Sequence, residues 1–198
     1  MKASSIILSS IVFIFLAFIV SDSPFLWDES IASFLLSHQW VTFFDFMGSS
    51  LFIGGTGIAL ILYVWWKQKN YRRVTYMVSS LAVGYYAYKG LKVVIGRDRP
   101  IGALDDGYSF PSGHSTMSFI LFFLICYIVS TELKRKDIRI LLYSACSLLV
   151  LFVGMSRLVH GDHYASDVLG GYLVGYIVTG TLFLFYQKWE SVRSEESG

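Results

Sequence analysis

Charge is scarce in this sequence: 15% of its 198 residues are Asp, Glu, Lys or Arg, while 55% are hydrophobic and 17% aromatic. With a mean hydropathy of +0.57, the chain is too apolar for an ordinary soluble domain and too short for two large ones. One integral-membrane domain over residues 1–198 is the expected organisation. Internal repeats and low-complexity linkers are also absent, so a repeat array is excluded. The two cysteines, Cys126 and Cys146, lie in apolar runs without CxxC spacing, which leaves them buried, unpaired structural roles rather than redox or metal work. The net charge of +2 says little, because in a membrane protein the placement of cations matters more than their sum. Nothing in this composition calls for a nucleic-acid partner, an obligate protein partner or a cofactor.

What the chain has is long apolar runs. After Lys2, about eighteen uncharged residues follow, enough to cross a ~30 Å hydrocarbon core at 1.5 Å per residue. A cleaved signal peptide competes for this stretch, but the run is long for one and no A-x-A site follows. In SDSPFLWDESIASFLLSHQW, Trp27, Ile31, Phe34 and Leu35 recur at helical spacing against polar Asp28, Glu29 and Ser30, which predicts a short interfacial amphipathic helix ending near Trp40. His38 stands alone there as a solvated or capping residue. Further spans are expected over 43–66, 74–95, 114–130, 140–155 and 167–186, giving an all-α bundle of six transmembrane helices. Gly48, Gly54, Gly55 and Gly57 in the second span, and Gly171 and Gly175 in the sixth, predict close helix packing. The GSSLFIGGTG run lacks the Lys-Ser/Thr that a phosphate loop needs.

The cations are sorted by side. Lys2, Lys67, Lys69, Arg72, Arg73, Lys134, Arg135, Lys136, Arg139, Lys188 and Arg193 fall on one face of a six-span arrangement, which the positive-inside rule makes cytoplasmic, with both termini. The rest, Lys89, Lys92, Arg97, Arg99 and Arg157, fall at the opposite ends of spans three and five. A multi-pass protein of the cell membrane with an outward-facing site is therefore expected.

That site rests on two stretches, KVVIGRDRPIGALDDGYSFPSGH from Lys92 and SRLVHGDHYASD from Ser156. Lys92, Arg99 and Arg157 stand with His114, His163, Ser112, Gly113 and one carboxylate, Asp167. A cluster rich in fixed cations, hydroxyls and backbone N–H groups but poor in carboxylates suits a multiply charged oxyanion such as phosphate. Pro100 disfavours helix at Arg99, so the chain should leave span three there and turn the guanidinium inward; Lys89 is read as an interface anchor. In FPSGHS, Ser112 can cap a helix beginning at Gly113, whose first N–H groups would face an anion. Glycine permits close approach of that anion, and His114 follows on the first turn, able to protonate a leaving oxygen. His163 and Asp167 are four apart, so the carboxylate can take the Nδ1 proton and leave Nε2 as nucleophile. His160 has no acid four residues on and is read as a loop residue. HGDH could also suggest a metal site with Asp162, but the neighbouring cations would repel a dication.

The three segments resemble the signature of the type 2 phosphatidic acid phosphatases: K-x6-RP from Lys92 to Pro100, PSGH from Pro111 to His114, and SR-x5-H-x3-D from Ser156 to Asp167. All three match without departure and in the family's order, although they cover only about a sixth of the chain. The resemblance implies an all-helical, metal-independent membrane lipid phosphatase. It also implies a phosphohistidine at His163, Asp167 as its orienting carboxylate, His114 as general acid and then base, and Lys92, Arg99, Ser112, Gly113 and Arg157 as phosphoryl ligands. The same signature occurs in glucose-6-phosphatase and soluble vanadium haloperoxidases, which small size and six spans disfavour. An enzyme like phosphatidylglycerophosphatase B, acting on phosphatidylglycerophosphate or phosphatidic acid, is the leading expectation, with undecaprenyl diphosphate next. A lipid phosphotransferase or a non-catalytic phospholipid binder or transporter would use the same pocket.

Overall fold

The computed structural model describes residues 2–20, 25 and 27–196, the side chains of residues 193–196 excepted. The expected placement of Arg193, and of residues 21–24 and 26 ahead of the amphipathic helix, lies outside the described residues. The elements run α1 (Ala3–Val20), α2 (Asp28–Leu35), a 3₁₀ turn (Gln39–Phe44), α3 (Asp45–Gly48), α4 (Ser50–Tyr63) ending in a π-helical turn (Val64–Gln68), α5 (Tyr71–Ile95), α6 (Gly113–Glu132), α7 (Lys136–Val159) and α8 (Ala165–Glu196). No strand occurs among the described residues, in line with the all-α expectation.

Five helical stretches are long and apolar enough to cross a membrane: Ala3–Val20, Ser50–Gln68, Gly113–Glu132, Lys136–Val159 and Ala165–Val192. Helix α5 was expected to make a sixth. Its 25 residues reach far enough, about 37 Å at 1.5 Å per residue, but Arg72, Arg73, Lys89 and Lys92 dilute its apolar character. Large apolar side chains such as Phe15, Phe18 and Leu51 point away from the bundle and stay exposed, as a lipid-facing surface requires.

Helix α8 is the central element and packs on α1, α5, α6 and α7. Its glycines decide how closely α6 approaches: a Cβ at Gly171 would stand 2.6 Å from the Ser112 carbonyl oxygen, and one at Gly175 2.9 Å from Phe119 Cβ. Ile120, Leu124, Ile128, Met77 and Val20 fill the buried seam around this contact. The close approach lets the Ser112 N–H donate to the Asp167 carbonyl at 3.0 Å. The two site stretches thus meet at one end of the bundle.

The second apolar stretch departs from the expected continuous span. Ser49 is extended (ψ 151°), and its hydroxyl accepts the Phe52 N–H, starting a new helix and separating α3 from α4. Gly48 lets α3 lie on α6, because a Cβ there would sit 2.5 Å from His114 Cδ2. Gly54 and Gly55 do not serve close packing as expected, since a Cβ at either would meet nothing. Helix α2 is present, with Ile31 and Phe34 exposed and Leu35 buried, but Asp28 is buried rather than on a solvated face. At the far end of the bundle Gln68 bonds Glu132 and Arg72 bonds the Trp189 carbonyl, so the cation-rich turns gather opposite the site stretches.

Candidate active site

Helix α5 stops where Gly96 adopts a left-handed φ of 67° and returns its N–H to the Lys92 carbonyl at 2.9 Å. The chain then runs without helix through Arg97 and Arg99 to Pro100, as the proline predicts. Lys92 Nζ, on the last turn, donates to the Tyr108 carbonyl at 2.5 Å. Arg99 is braced by the Gly107 carbonyl at 3.0 Å and the Asp162 carbonyl at 2.8 Å. The loop between α5 and α6 is thereby folded back over the end of α7.

Ser112 caps α6 as expected, its hydroxyl accepting the Ser115 N–H at 3.4 Å. Since its own N–H goes to Asp167, the free donors of this helix start begin at Gly113. A Cβ on Gly113 would stand 2.8 Å from the Tyr88 ring, so the glycine is also needed for packing.

His163 lies in the turn before α8 and Asp167 in its first turn, where the helix dipole favours a negative charge. His163 Nδ1 is 3.3 Å from Asp167 Oδ2, and both side chains are buried. The other oxygen, Oδ1, accepts from Arg97 Nη1 at 2.5 Å. Burial pushes the His163 imidazole down to about 4, against the upward pull of the Asp167 bond. The ring is therefore neutral at pH 7. With its proton on Nδ1 facing Asp167, its lone pair lies on Nε2, 3.4 Å from Arg99 Nη1.

Arg157 is buried at the end of α7 and touches three carboxylates: Asp45 at 2.8 Å, Asp105 at 2.6 Å and Asp162 at 2.8 Å. Burial alone would raise the Asp45 carboxyl, but the Arg157 guanidinium hydrogen-bonded to it holds it below the ordinary value. Asp45 Oδ1 also stands 3.9 Å from His114 Nε2. Asp105 reaches from the loop to within 3.6 Å of Arg99 as well, and is half exposed. Asp162, the carboxylate of HGDH, spends its second oxygen on the Leu104 and Asp105 N–H groups. It acts as a loop clamp on Arg157, and His160 is an exposed turn residue.

A cavity of about 350 Å³ collects these groups, with Lys92, Arg99, Asp105, Gly113, His114 and His163 on its wall. Its remaining wall includes apolar Ile53, Leu81 and Met117 from three helices. Of the eight residues singled out from the sequence, Ser112, Arg157 and Asp167 stand behind that wall, joined to it through the cap, Asp105 and His163 respectively. Sequence reasoning passed over Asp28, Asp45, Arg97, Asp105 and Ser166, and the expectation of a site poor in carboxylates is corrected. The signal was the cations themselves: Lys92, Arg97, Arg99 and Arg157 crowd into one end of a membrane protein, and cations taken out of water require counter-charges.

Residues 73–191, more than half of the chain, match the family model of the PAP2 superfamily, and this chain belongs to that superfamily. Phosphatidylglycerophosphatase B of Bacillus subtilis is 32% identical over 114 residues, which cover 54% of this chain and 55% of that protein. The chain thus spans about half the length of this curated relative. The crystal structure of a transmembrane PAP2-type phosphatidylglycerolphosphate phosphatase from Bacillus subtilis shares the fold, with a TM-score of 0.82 at 23% identity over 92% of this chain and 96% of that one. The crystal structure of Aquifex aeolicus LpxE is similar at a TM-score of 0.59 and 20% identity, covering 80% and 96% of the two chains.

Proposed function

We propose that this chain is a membrane-embedded phosphatase that removes the terminal phosphate monoester of a lipid through a phosphohistidine on His163. The observation that carries the reading is the buried His163–Asp167 pair behind a cavity lined by Lys92, Arg99 and the first turn of α6. In the first step His163 Nε2 bonds to phosphorus, the bond from phosphorus to the lipid oxygen breaks, and that oxygen takes a proton from His114. In the second, His114 takes a proton from water, the water oxygen bonds to phosphorus, and the nitrogen–phosphorus bond breaks. Phosphate leaves and His163 is restored. Asp167 orients the nucleophile, while Lys92, Arg99 and Gly113 on the cavity wall hold the phosphoryl oxygens, joined from behind it by Arg157 once Asp105 yields and by Ser112 at the α6 cap. The general acid and the cationic clamp each supply roughly 10²-fold or more in rate. The scheme uses no metal or cofactor.

The substrate is phosphatidylglycerophosphate or phosphatidic acid. Two observations favour a glycerophospholipid phosphate: the activity for which the Bacillus relative is named, and the apolar wall of Ile53, Leu81 and Met117 beside the cationic end of the cavity. Residues 1–198 act as one domain, with α5 as the sixth span and α2 lying in the interface. Both termini then share the cation-rich cytoplasmic face of a cell membrane, and the site faces outward.

The test is phosphate release by the purified protein in detergent with EDTA, from phosphatidylglycerophosphate, phosphatidic acid and undecaprenyl diphosphate, beside His163→Ala. Release from a glycerophospholipid that the variant lacks is the expected result. A metal requirement, turnover that survives His163→Ala, or lipid binding without turnover would each overturn the reading.

A further inference from the structure

Asp28 belongs to α2, a helix remote in sequence from every motif, yet it is 1% exposed and surrounded by polar partners. Its Oδ2 accepts from Arg97 Nη2 at 3.0 Å and from the Ser166 hydroxyl at 2.7 Å, and its Oδ1 accepts the Ser166 N–H at 2.8 Å. The Arg97 guanidinium carbon stands over the Tyr164 ring, 4.2 Å from its centroid. Its Nη1 meets Ser166 Oγ at 2.8 Å and Asp167 Oδ1 at 2.5 Å. The two oxygens of Asp167 therefore divide their work. Oδ1 is held by Arg97, and Oδ2 faces His163 Nδ1 and the Tyr164 N–H.

A carboxylate on a rotatable Cβ–Cγ bond has no intrinsic preference for presenting one oxygen to a ring nitrogen. A guanidinium fixed on the opposite oxygen supplies that preference, because turning the carboxylate would break a buried charged hydrogen bond. On its other side the guanidinium meets a second buried anion, which fixes its position from outside Asp167. Asp28 is that anion, anchored on the first turn of α8 by two bonds to Ser166.

We infer that Arg97 and Asp28 are positioning residues that lock the Asp167 carboxylate, and through it the His163 ring, in the orientation the phosphoryl transfer uses. The inference rests on the phosphatase reading above and deepens it: the nucleophile's support extends through three ionised groups into α2. Around the pair stand Lys92 from α5, Arg97 and Arg99 from the loop after it, His114 from α6, Arg157 from α7, and Asp162 and Tyr164 beside His163. Of these cations only Arg97 bonds Asp167 directly.

The experiment compares wild type with Asp28→Asn, the charge-balanced double variant Asp28→Asn/Arg97→Gln, and Glu29→Gln as an exposed control on the same helix. Steady-state kinetics and ¹⁵N-histidine NMR of His163 are read on each folded sample. Loss of positioning lowers kcat at least ~10-fold in both Asp28-containing variants with KM little changed. In the double variant, removal of the Arg97 charge moves the acid limb of kcat/KM up by about one pH unit, and NMR reports a mixture of His163 tautomers. A purely structural role would scale activity with the folded fraction at every pH and leave limb and tautomer in place; that result overturns the inference, as does wild-type kcat. Wild-type protein without His163-dependent phosphate release overturns the phosphatase reading alone, because the NMR arm still reports whether Arg97 and Asp28 set the Asp167–His163 bond.

Discussion

Replacing Asp167 by Asn probes the proposed nucleophile, His163, without changing side-chain size. In the native site the carboxylate faces donors on both sides: Arg97 and Ser109 at Oδ1, and His163 Nδ1 and the Tyr164 N–H at Oδ2. An amide presents one oxygen and one NH₂ group. If its oxygen keeps Arg97, its NH₂ confronts the Tyr164 N–H and can satisfy His163 only in the Nε2-protonated tautomer, which has no lone pair to attack phosphorus. If its oxygen keeps His163, the NH₂ is pressed against the buried guanidinium. The ion pair with Arg97 is lost either way, but the first arrangement strands only a neutral donor, at about 1–3 kcal/mol, whereas the second turns an NH₂ on a charged donor and costs more, so the first wins. The tautomer is then wrong, and a turnover loss of roughly 10³- to 10⁴-fold is expected from the analogous change in a histidine–aspartate pair of a serine protease. Folding and lipid binding should survive. The assay is single-turnover phosphate release, with alkaline trapping of phosphohistidine and a lipid-binding titration on the same sample. A variant within tenfold of wild-type turnover would refute the tautomer argument.

Two further outcomes are expected. His163 is held neutral, down to about 4 from an ordinary 6.5, so the folded state binds fewer protons than the unfolded chain between those values. Its contribution, about 3 kcal/mol at 1.36 kcal/mol per pH unit, is present above pH 6.5 and lost as pH falls toward 4. The Tm gap between wild type and His163→Gln should therefore narrow over that window, and a gap that stays constant would contradict a buried neutral imidazole. Asp105 holds Arg157 at 2.6 Å and Arg99 at 3.6 Å from a half-exposed position, where a phosphate would compete with it. Removing its charge by Asp105→Asn frees about 1 kcal/mol of ion pairing, discounted for exposure, and should tighten inhibition by orthovanadate about fivefold; unchanged or weaker inhibition would show that Asp105 does not compete with the phosphoryl oxygens.

The parts of this molecule set by local rules were legible in its sequence. The α6 start follows from Ser112 and Gly113, the break after α5 from Gly96 and Pro100, and the lipid-spanning helices from uninterrupted apolar runs. The break at Ser49 was not legible, because hydropathy is blind to a single capping serine inside an apolar run. Neither was the lining role of Gly54, which small-residue spacing assigns to helix packing but which faces open space beside the cavity.

The carboxylates show a different limit. Asp28 has the sequence context of a solvated helix face, and Asp45 that of a span end, while their partners Arg97 and Arg157 lie 69 and 112 residues away. No local pattern encodes such a pairing. What the sequence does contain is an imbalance: Lys92, Arg97, Arg99 and Arg157 gather at one end of the bundle, with only Asp167 counted against them. A membrane protein that withdraws Arg97 and Arg157 from water almost completely must supply anions to match, because an uncompensated buried charge costs several kcal/mol. The acids at the same end of the bundle, Asp28, Glu29, Asp45, Asp98, Asp105, Asp106 and Asp162, were the candidates, and the folded chain takes Asp28, Asp45, Asp105 and Asp162. On the proposed phosphatase reading, the substrate phosphate enters a site already neutralised by carboxylates, and must replace at least one of them. Asp105, the most exposed of those that touch Arg157, is the one positioned to yield.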